Sequence, residues 1–346
     1  MTRRTGPHLG LGAVLLGCLL LAGPAVARDK LEVKDWWAAC DNVRACTAYG
    51  FSSDDVDGVV LRVRRAAERD APPLFDLVLG PEQSRGVDGA LALFVDGKAV
   101  TRTDAPQGGN DDFRTWAVTN GAVLSAAVAR GTGLELKVGE KTVATVSLSG
   151  ASAALRWIDD QQKRVGGVTA LVAKGPAPAA AVPPPPLAPV IRAARVVSQK
   201  GLTDTPPAPV LKRLAGLDCA TDNPALDGPV SSRLAPGLVL WVVPCWVGAY
   251  QTASALVLAD EAGGHARLAD LGGGGAPDER AMATNASYDA DHQKLYSYAK
   301  GRGVADCGIT ETHVWTGKAF VLADRSELSV CRGLPEEFWV ETYRGR

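Results

Sequence analysis

Histidine is scarce in this chain of 346 residues: there are four, and only His265, His292 and His313 lie beyond residue 27. No histidine lies close to Cys40 or Cys46, so that pair lacks the further ligands of a zinc site. No block of basic residues occurs; Lys and Arg number 37 against 38 Asp and Glu. The electrostatic footprint of a nucleic-acid binder is therefore missing, and no nucleic-acid partner is expected. There is no C-x-x-C redox pair and no G-x-S-x-G nucleophile elbow. The glycine run 272–275 lacks the Lys-Ser/Thr ending of a phosphate-binding loop. Scattered Ser, His and Asp residues could in principle meet, because triads are defined by geometry and not by order. The sequence assigns no catalytic residue, no metal and no cofactor.

What is present begins with "MTRRTGPHLGLGAVLLGCLLLAGPAVARDK". Arg3 and Arg4 form a charged start, Leu9 to Leu21 an apolar run, and Ala25-Val26-Ala27 a small-x-small site. This is the layout of an export signal covering residues 1–27 and cut after Ala27. The run is too short to span a bilayer, and no transmembrane segment is expected in the mature chain. A second reading takes Leu15-Leu16-Gly17-Cys18 as a lipoprotein box that would leave Cys18 lipidated. Against it, Leu19-Leu20-Leu21 would then stand where a polar tether belongs. Loss of residues 1–27 leaves 319 residues with 35 basic and 38 acidic side chains.

Six cysteines remain: Cys40, Cys46, Cys219, Cys245, Cys307 and Cys331. An even count in an exported chain reads as disulfides. Cys40 and Cys46 can face each other if residues 32–40 form one strand, Asp41-Asn42 opens a turn and residues 45–51 return. Sequential pairing would give Cys219–Cys245 and Cys307–Cys331, although the spacing leaves the other pairings of these four open.

"KGPAPAAAVPPPPLAP", residues 174–189, is the clearest boundary, an extended proline-rich spacer between regions 28–173 and 190–346. Both regions are patterned as short strands. In residues 59–64, Val59, Leu61 and Val63 alternate with Val60, Arg62 and Arg64. Asp96-Gly97 marks a hairpin. "AVLSAAVA" (122–129) and "VTALVA" (168–173) are read as further strands. A helix near 150–164 begins at cap-capable serines and ends before glycines, with Trp157 expected to cover a sheet edge or barrel mouth. Residues 190–199 and 207–216 read as short helices. The fold class is mainly β: two β-rich domains of sandwich or barrel type with a few short helices.

Two clusters could carry function. "YDADH" brings Asp289, Asp291 and His292 together, but Asp and His are ordinary turn residues and a calcium loop needs more oxygen ligands. "YSYAKGRGVADCG" places Tyr296 and Tyr298 on one strand face, then Lys300, Arg302 and Asp306 around Gly301 and Gly303, with Cys307 pinning the end. One reading is a tight turn with its glycines at positive φ. The other is a rigid recognition loop, with a basic pair for an anionic group and tyrosines for contact area.

Several segments resemble one bacterial exported family, called domain of unknown function 1176: "DWWAACDNVRACTAYGF", "AALRWIDDQQKRVGGVTALVAKG", "YDADHQKLYSYAKGRGVADCG" and "HVWTGKAFVL". The first half is also distantly similar to the invasion-associated locus B type of exported protein. The resemblance implies a protein of a Gram-negative envelope and carries no catalytic residue. The resulting expectation is a periplasmic or secreted, non-catalytic binding module whose partner is an envelope protein or wall component. The alternatives are an inhibitor of a wall-degrading enzyme and a hydrolase with an unrecognised site.

Overall fold

A computed structural model describes residues 30–346, apart from 55, 109–111, 218 and 220–226. The expected leader, its cleavage after Ala27 and the alternative lipidated Cys18 lie outside the described residues. Among the described residues the chain is mainly β, with four antiparallel sheets and four short α-helices.

The first ten strands are β1 Lys30–Val33, β2 Trp36–Cys40, β3 Cys46–Phe51, β4 Val59–Arg65, β5 Leu74–Leu79, β6 Ala92–Val95, β7 Lys98–Arg102, β8 Arg114–Ala117, β9 Gly133–Val138 and β10 Lys141–Ser147. They make a sheet of order β1-β2-β3-β4-β5-β8 and a sheet of order β10-β9-β6-β7. The single strand expected over 32–40 is in fact a hairpin: Lys34 turns the chain at φ 53°, and Val33 pairs with Trp36. Asp96 and Gly97, both at positive φ, form the hairpin turn between β6 and β7.

The inward faces of these two sheets share one core with two helices. Trp36, Leu61, Leu77, Leu93 and Leu136 meet Leu124 and Val128 of α2 (Gly121–Val128) and Leu155 and Ile158 of α3 (Ala151–Gln161). The single-turn helix α1, Pro81–Ser84, lies after β5. Residues 122–129 were expected as a strand but form α2. The segment is rich in Ala, which favours helices, and the Asn120 side chain accepts the Val123 N–H to cap it. Helix α3 lies within the expected 150–164, yet no serine caps it. Gly150 does so at φ 103°, where a Cβ would lie 2.3 Å from the Val33 carbonyl oxygen. Trp157 is half-buried against the same core.

Residues 168–173 do not form the expected strand. The N–H groups of Leu171, Val172 and Ala173 donate to the buried Asp159 carboxylate at 2.6, 2.9 and 3.1 Å, so they have nothing left for a ladder. Residues 190–199 do not form the expected helix. Their backbone pairs with remote chain, Ile191 N–H with the Arg346 carbonyl and Ala194 N–H with that of Trp315. Helix α4, Ala208–Arg213, falls where a second short helix was expected.

The later strands are β11 Val230–Ala235, β12 Leu238–Val247, β13 Thr252–Ala259, β14 Arg267–Leu268, β15 Met282–Thr284, β16 Ser287–Asp289, β17 Lys294–Lys300, β18 Gly308–Trp315, β19 Phe320–Leu328 and β20 Val340–Arg344. One sheet is ordered β11-β12-β13-β14, with β15 also on β13; the other is a meander from β16 to β20. Leu240 and Leu256 of the first pack on Leu295, Trp315 and Phe320 of the second. On the opposite face, Trp241 and Val257 cover Val210 of α4 and Leu214 at its end.

The two pairs of sheets touch. Trp37, Tyr49, Val60 and Val78, from the outer face of the first sheet, share a core with Leu328, Leu334, Trp339 and Val340. Trp37 Nε1 donates to Ser329 Oγ at 2.8 Å, and Asn42 exchanges two bonds with the Arg344 backbone, each 2.9 Å. Gly333, at φ 73°, lets the chains close up: a Cβ there would sit 2.7 Å from that of Asp57.

Candidate functional site

The disulfides are Cys40–Cys46, Cys219–Cys245 and Cys307–Cys331. The first closes the β2–β3 hairpin, whose turn Asp41 organises by accepting the N–H groups of Val43 and Ala45. The other two brace one end of the later sheets, where two loops lie side by side.

The first loop is the tip of the β12–β13 hairpin. Register shifts between Pro244 and Trp246, so the inward run of β12 ends at Cys245 and the next side chains face solvent. Trp246 is 46 % exposed, Val247 36 % and Tyr250 42 %. The turn closes by Gly248 N–H to the Gln251 carbonyl at 2.8 Å. Gln251 Oε1 accepts the Lys300 N–H at 3.0 Å, and Asn285 links Thr252 to the Tyr298 carbonyl. The tip is thereby tied to β17.

The second loop runs from Gly301 to Cys307, closed by Gly301 N–H to the Cys307 carbonyl at 2.8 Å. Gly301 and Gly303 were expected at positive φ, but here that region is taken by Ala305 and Gly308. Their small size serves approach instead. A Cβ on Gly301 would lie 2.5 Å from the Cys307 sulfur, and one on Gly303 would lie 3.4 Å from the Tyr250 ring. Gly303 thus joins the two loops, and the neighbouring Val304 is 75 % exposed. Trp246, Val247, Tyr250 and Val304 are the exposed large apolar side chains of these two loops.

The five residues singled out from sequence do not converge on one pocket. Tyr296 and Tyr298 line an open groove of about 380 Å³ with Thr310, Thr312, Asp324 and Ser326, while Lys300, Arg302 and Asp306 lie outside it. Tyr298 rests on Trp339 with ring centroids 5.6 Å apart, and the Lys300 ammonium lies 5.6 Å from the Tyr298 centroid. Arg302 forks onto Asp306 and reaches Asp57 of the other pair of sheets at 3.0 Å. Burial alone would raise the Asp306 carboxyl, but its bonds from Arg302 and the Gly333 N–H outweigh this and hold it below the usual 3.8. The same hydrogen bond with Asp306 raises the Arg302 guanidinium. Arg302 and Asp306 therefore shape the loop by pairing with each other.

"YDADH" is the β16–β17 turn. The His292 ring meets Asp289 at 2.7 Å, and the Asp291 N–H also donates to Asp289. That hydrogen bond from His292 holds Asp289 below the usual carboxylate range. The group of potential metal ligands among the described residues is Asp306, Cys307 and Cys331, and its two sulfurs are bonded to each other. His313 is buried in β18, where burial holds its imidazole below the usual 6.5. No helix among the described residues is long and apolar enough to cross a membrane.

Sequence reasoning missed Trp246, Val247 and Tyr250. The signal was an apolar pair directly after a cysteine at a strand end, but strand period alone predicts that one of the pair points inward. Both are exposed because they end β12, at the hairpin tip and past its buried run.

Comparison with known proteins follows the same lines. The "Uncharacterized protein YpfG" of Escherichia coli strain K12 is 29 % identical over 341 residues, covering 92 % of each chain. The crystal structure of invasion associated protein b from Bartonella henselae is similar to 39 % of this chain and 98 % of its own, at 20 % identity and a TM-score of 0.31. The model of the family described as protein of unknown function (DUF1176) matches residues 30–346, and the chain belongs to that family.

Proposed function

We propose that this protein is an exported, non-catalytic interaction module of the bacterial envelope. Its contact surface is the β12–β13 tip together with the loop 301–307. One observation carries this reading: Trp246, Val247, Tyr250 and Val304 are all exposed on two loops that meet where Gly303 approaches the Tyr250 ring, each loop beside a disulfide, at Cys245 and at Cys307. Isolated exposed apolar residues need no explanation, but a grouped set marks an interaction site. Tryptophan and tyrosine are enriched in the residues that dominate protein interfaces. Bracing also lowers the ordering cost of association. The partner class this favours is a protein. Tyr296 and Tyr298 extend the surface along the neighbouring groove, and Arg302 with Asp306 keeps the second loop in shape.

Three disulfides support residence in an oxidising compartment outside the cytoplasm. The composition of residues 1–27 supports export by a cleaved leader into the periplasm. The four sheets fall on either side of residues 174–189, which supports two domains, 28–173 and 190–346, that pack together.

Photo-crosslinking in intact cells tests the site. A photoreactive residue is placed in the full chain at Tyr250, at Val304, or at Leu187, which is 80 % exposed on the proline-rich segment. The expected result is one shared protein adduct from positions 250 and 304 and none from 187. No adduct from the first two, or the same adduct from all three, would sink the assignment.

A further inference from the structure

One face of the β16–β20 meander carries an open groove of about 380 Å³, laid mainly on β17, β18 and β19. Tyr296 stands opposite Thr312, and Thr312 opposite Asp324; two residues along, Tyr298 stands opposite Thr310, and Thr310 opposite Ser326. Cross-strand partners share a face of the sheet, so these six side chains make two parallel rows, and all six line the groove. Three neighbouring strands span about 10 Å, the length of two linked sugar rings. Tyr296 is 38 % exposed, and Tyr298 is held against Trp339. Among the described residues the hydroxyls of Thr310, Thr312 and Ser326 have no hydrogen-bond partner in the protein, and none of them is a buried atom, so each is open to solvent.

The charges around the groove are closely matched. Glu311, Asp324 and Glu336 line it, and Glu341 stands opposite Ser326 on β20. Four cations stand against these. Arg325 pairs with Glu311 at 3.6 Å, and Arg344 stands opposite Asp324 and pairs with Glu341. Lys294 and Lys300 end the β17 row on the tyrosine face, by strand alternation. Further in, the buried Glu327 is met by Lys30 and Arg325, and the buried Asp41 by Arg344. No positive charge is in surplus, which disfavours an anion, and lysines at both ends of the tyrosine row disfavour a polycation.

We propose that this face binds a neutral saccharide. The Tyr296 ring offers an apolar surface to the C–H face of one sugar ring. Thr310, Thr312 and Ser326 can each donate and accept, and Asp324 accepts, which matches sugar hydroxyls that do both. Groups fixed on paired strands are in place before the ligand arrives, and this lowers the cost of binding. The groove is tied to the β12–β13 tip through Asn285, yet it takes a ligand of its own. Binding of a free sugar here does not depend on the protein contact proposed for the tip, so either reading can fail alone.

The test screens the full mature chain on an array of neutral, acidic and amino-bearing glycans. The strongest neutral glycan is then titrated in solution by calorimetry, with spermidine as the cationic control. The expected result is saturable binding of a neutral glycan, with acidic glycans and spermidine bound weakly or not at all. Tyr296→Ala should weaken binding about tenfold or more, whereas Tyr296→Phe, which keeps the ring, should stay within about threefold of the parent chain. Thr312→Val removes a hydroxyl at nearly constant shape and should weaken binding about tenfold, the loss of one good hydrogen bond. An unchanged melting temperature shows that each variant folds, and should Tyr296→Ala not fold, Thr312→Val carries the test. Three results would each overturn the proposal: no neutral glycan bound, acidic glycans or spermidine bound as tightly, or affinity unchanged by loss of the ring or of the hydroxyl.

Discussion

Asp159 is the most exacting test of how the first half of the molecule is held. It is completely buried on α3, and its two oxygens accept three backbone N–H groups from residues 171–173. Replacing it with Asn keeps the shape but changes one oxygen into an amide donor. If the donor occupies the Oδ2 position, the Val172 and Ala173 N–H groups both lose their acceptor; if it occupies Oδ1, Leu171 loses its own and Arg65 faces a like donor. Each buried donor left unmet costs about 1–3 kcal/mol. In either orientation Arg65 also loses the negative charge 3.7 Å away. Breaking a buried ion pair from one side costs about 3–5 kcal/mol, and we expect Asp159→Asn to fall in that range. Urea unfolding at neutral pH, followed by tryptophan fluorescence, measures it. A loss below about 1 kcal/mol would refute the reasoning, because it would mean that residues 171–173 do not depend on this carboxylate.

Two further predictions concern sulfur and protons. Alkylation of the native, unreduced mature chain should label none of its six cysteines, and replacing Cys307 and Cys331 together by serine should cost roughly 3 kcal/mol in the chain-entropy view. Labelling of Cys307 would contradict the braced loop. For His313, burial holds the folded imidazole below its usual 6.5, with the Glu311 charge only partly opposing. The unfolded chain therefore takes up the proton first as pH falls. This contribution to stability is present above pH 6.5 and is lost progressively as pH drops toward the folded value. His313→Gln should flatten the decline in melting temperature between about pH 7.5 and about pH 5.5; an unchanged slope would contradict it.

The sequence carried the fold where local rules sufficed. The 40–46 staple, the Asp96-Gly97 turn and the alternation of β4 were legible because hairpin chemistry and strand period act over a few residues. Tertiary partners overrode the pattern elsewhere. Residues 168–173 have a strand's composition, but a carboxylate on α3 takes their N–H groups. Residues 190–199 have apolar spacing, but their backbone is held by Trp315 and Arg346. The candidate site was half legible. The loop 301–307 stood out through its glycines and cysteine, yet the reason for those glycines is close approach to Cys307 and Tyr250. The facing hairpin tip could not be read, because how far β12 runs past the buried core is set by tertiary packing and not by local period. Nothing in the alternation of residues 59–64 points to the burial of Arg65, whose partners Asp159 and Thr169 lie far along the chain.

The measurement that bears most directly on the central claim is the affinity of the crosslinked partner for the purified mature chain and for Trp246→Ala. A residue at the heart of an interface contributes about 2 kcal/mol or more, so the account predicts roughly thirtyfold weaker binding. The melting temperature should change far less than the affinity, because Trp246 is 46 % exposed at the hairpin tip and belongs to none of the buried cores. Equal affinities for the two proteins would contradict the claim that this exposed surface is where the molecule makes its contact.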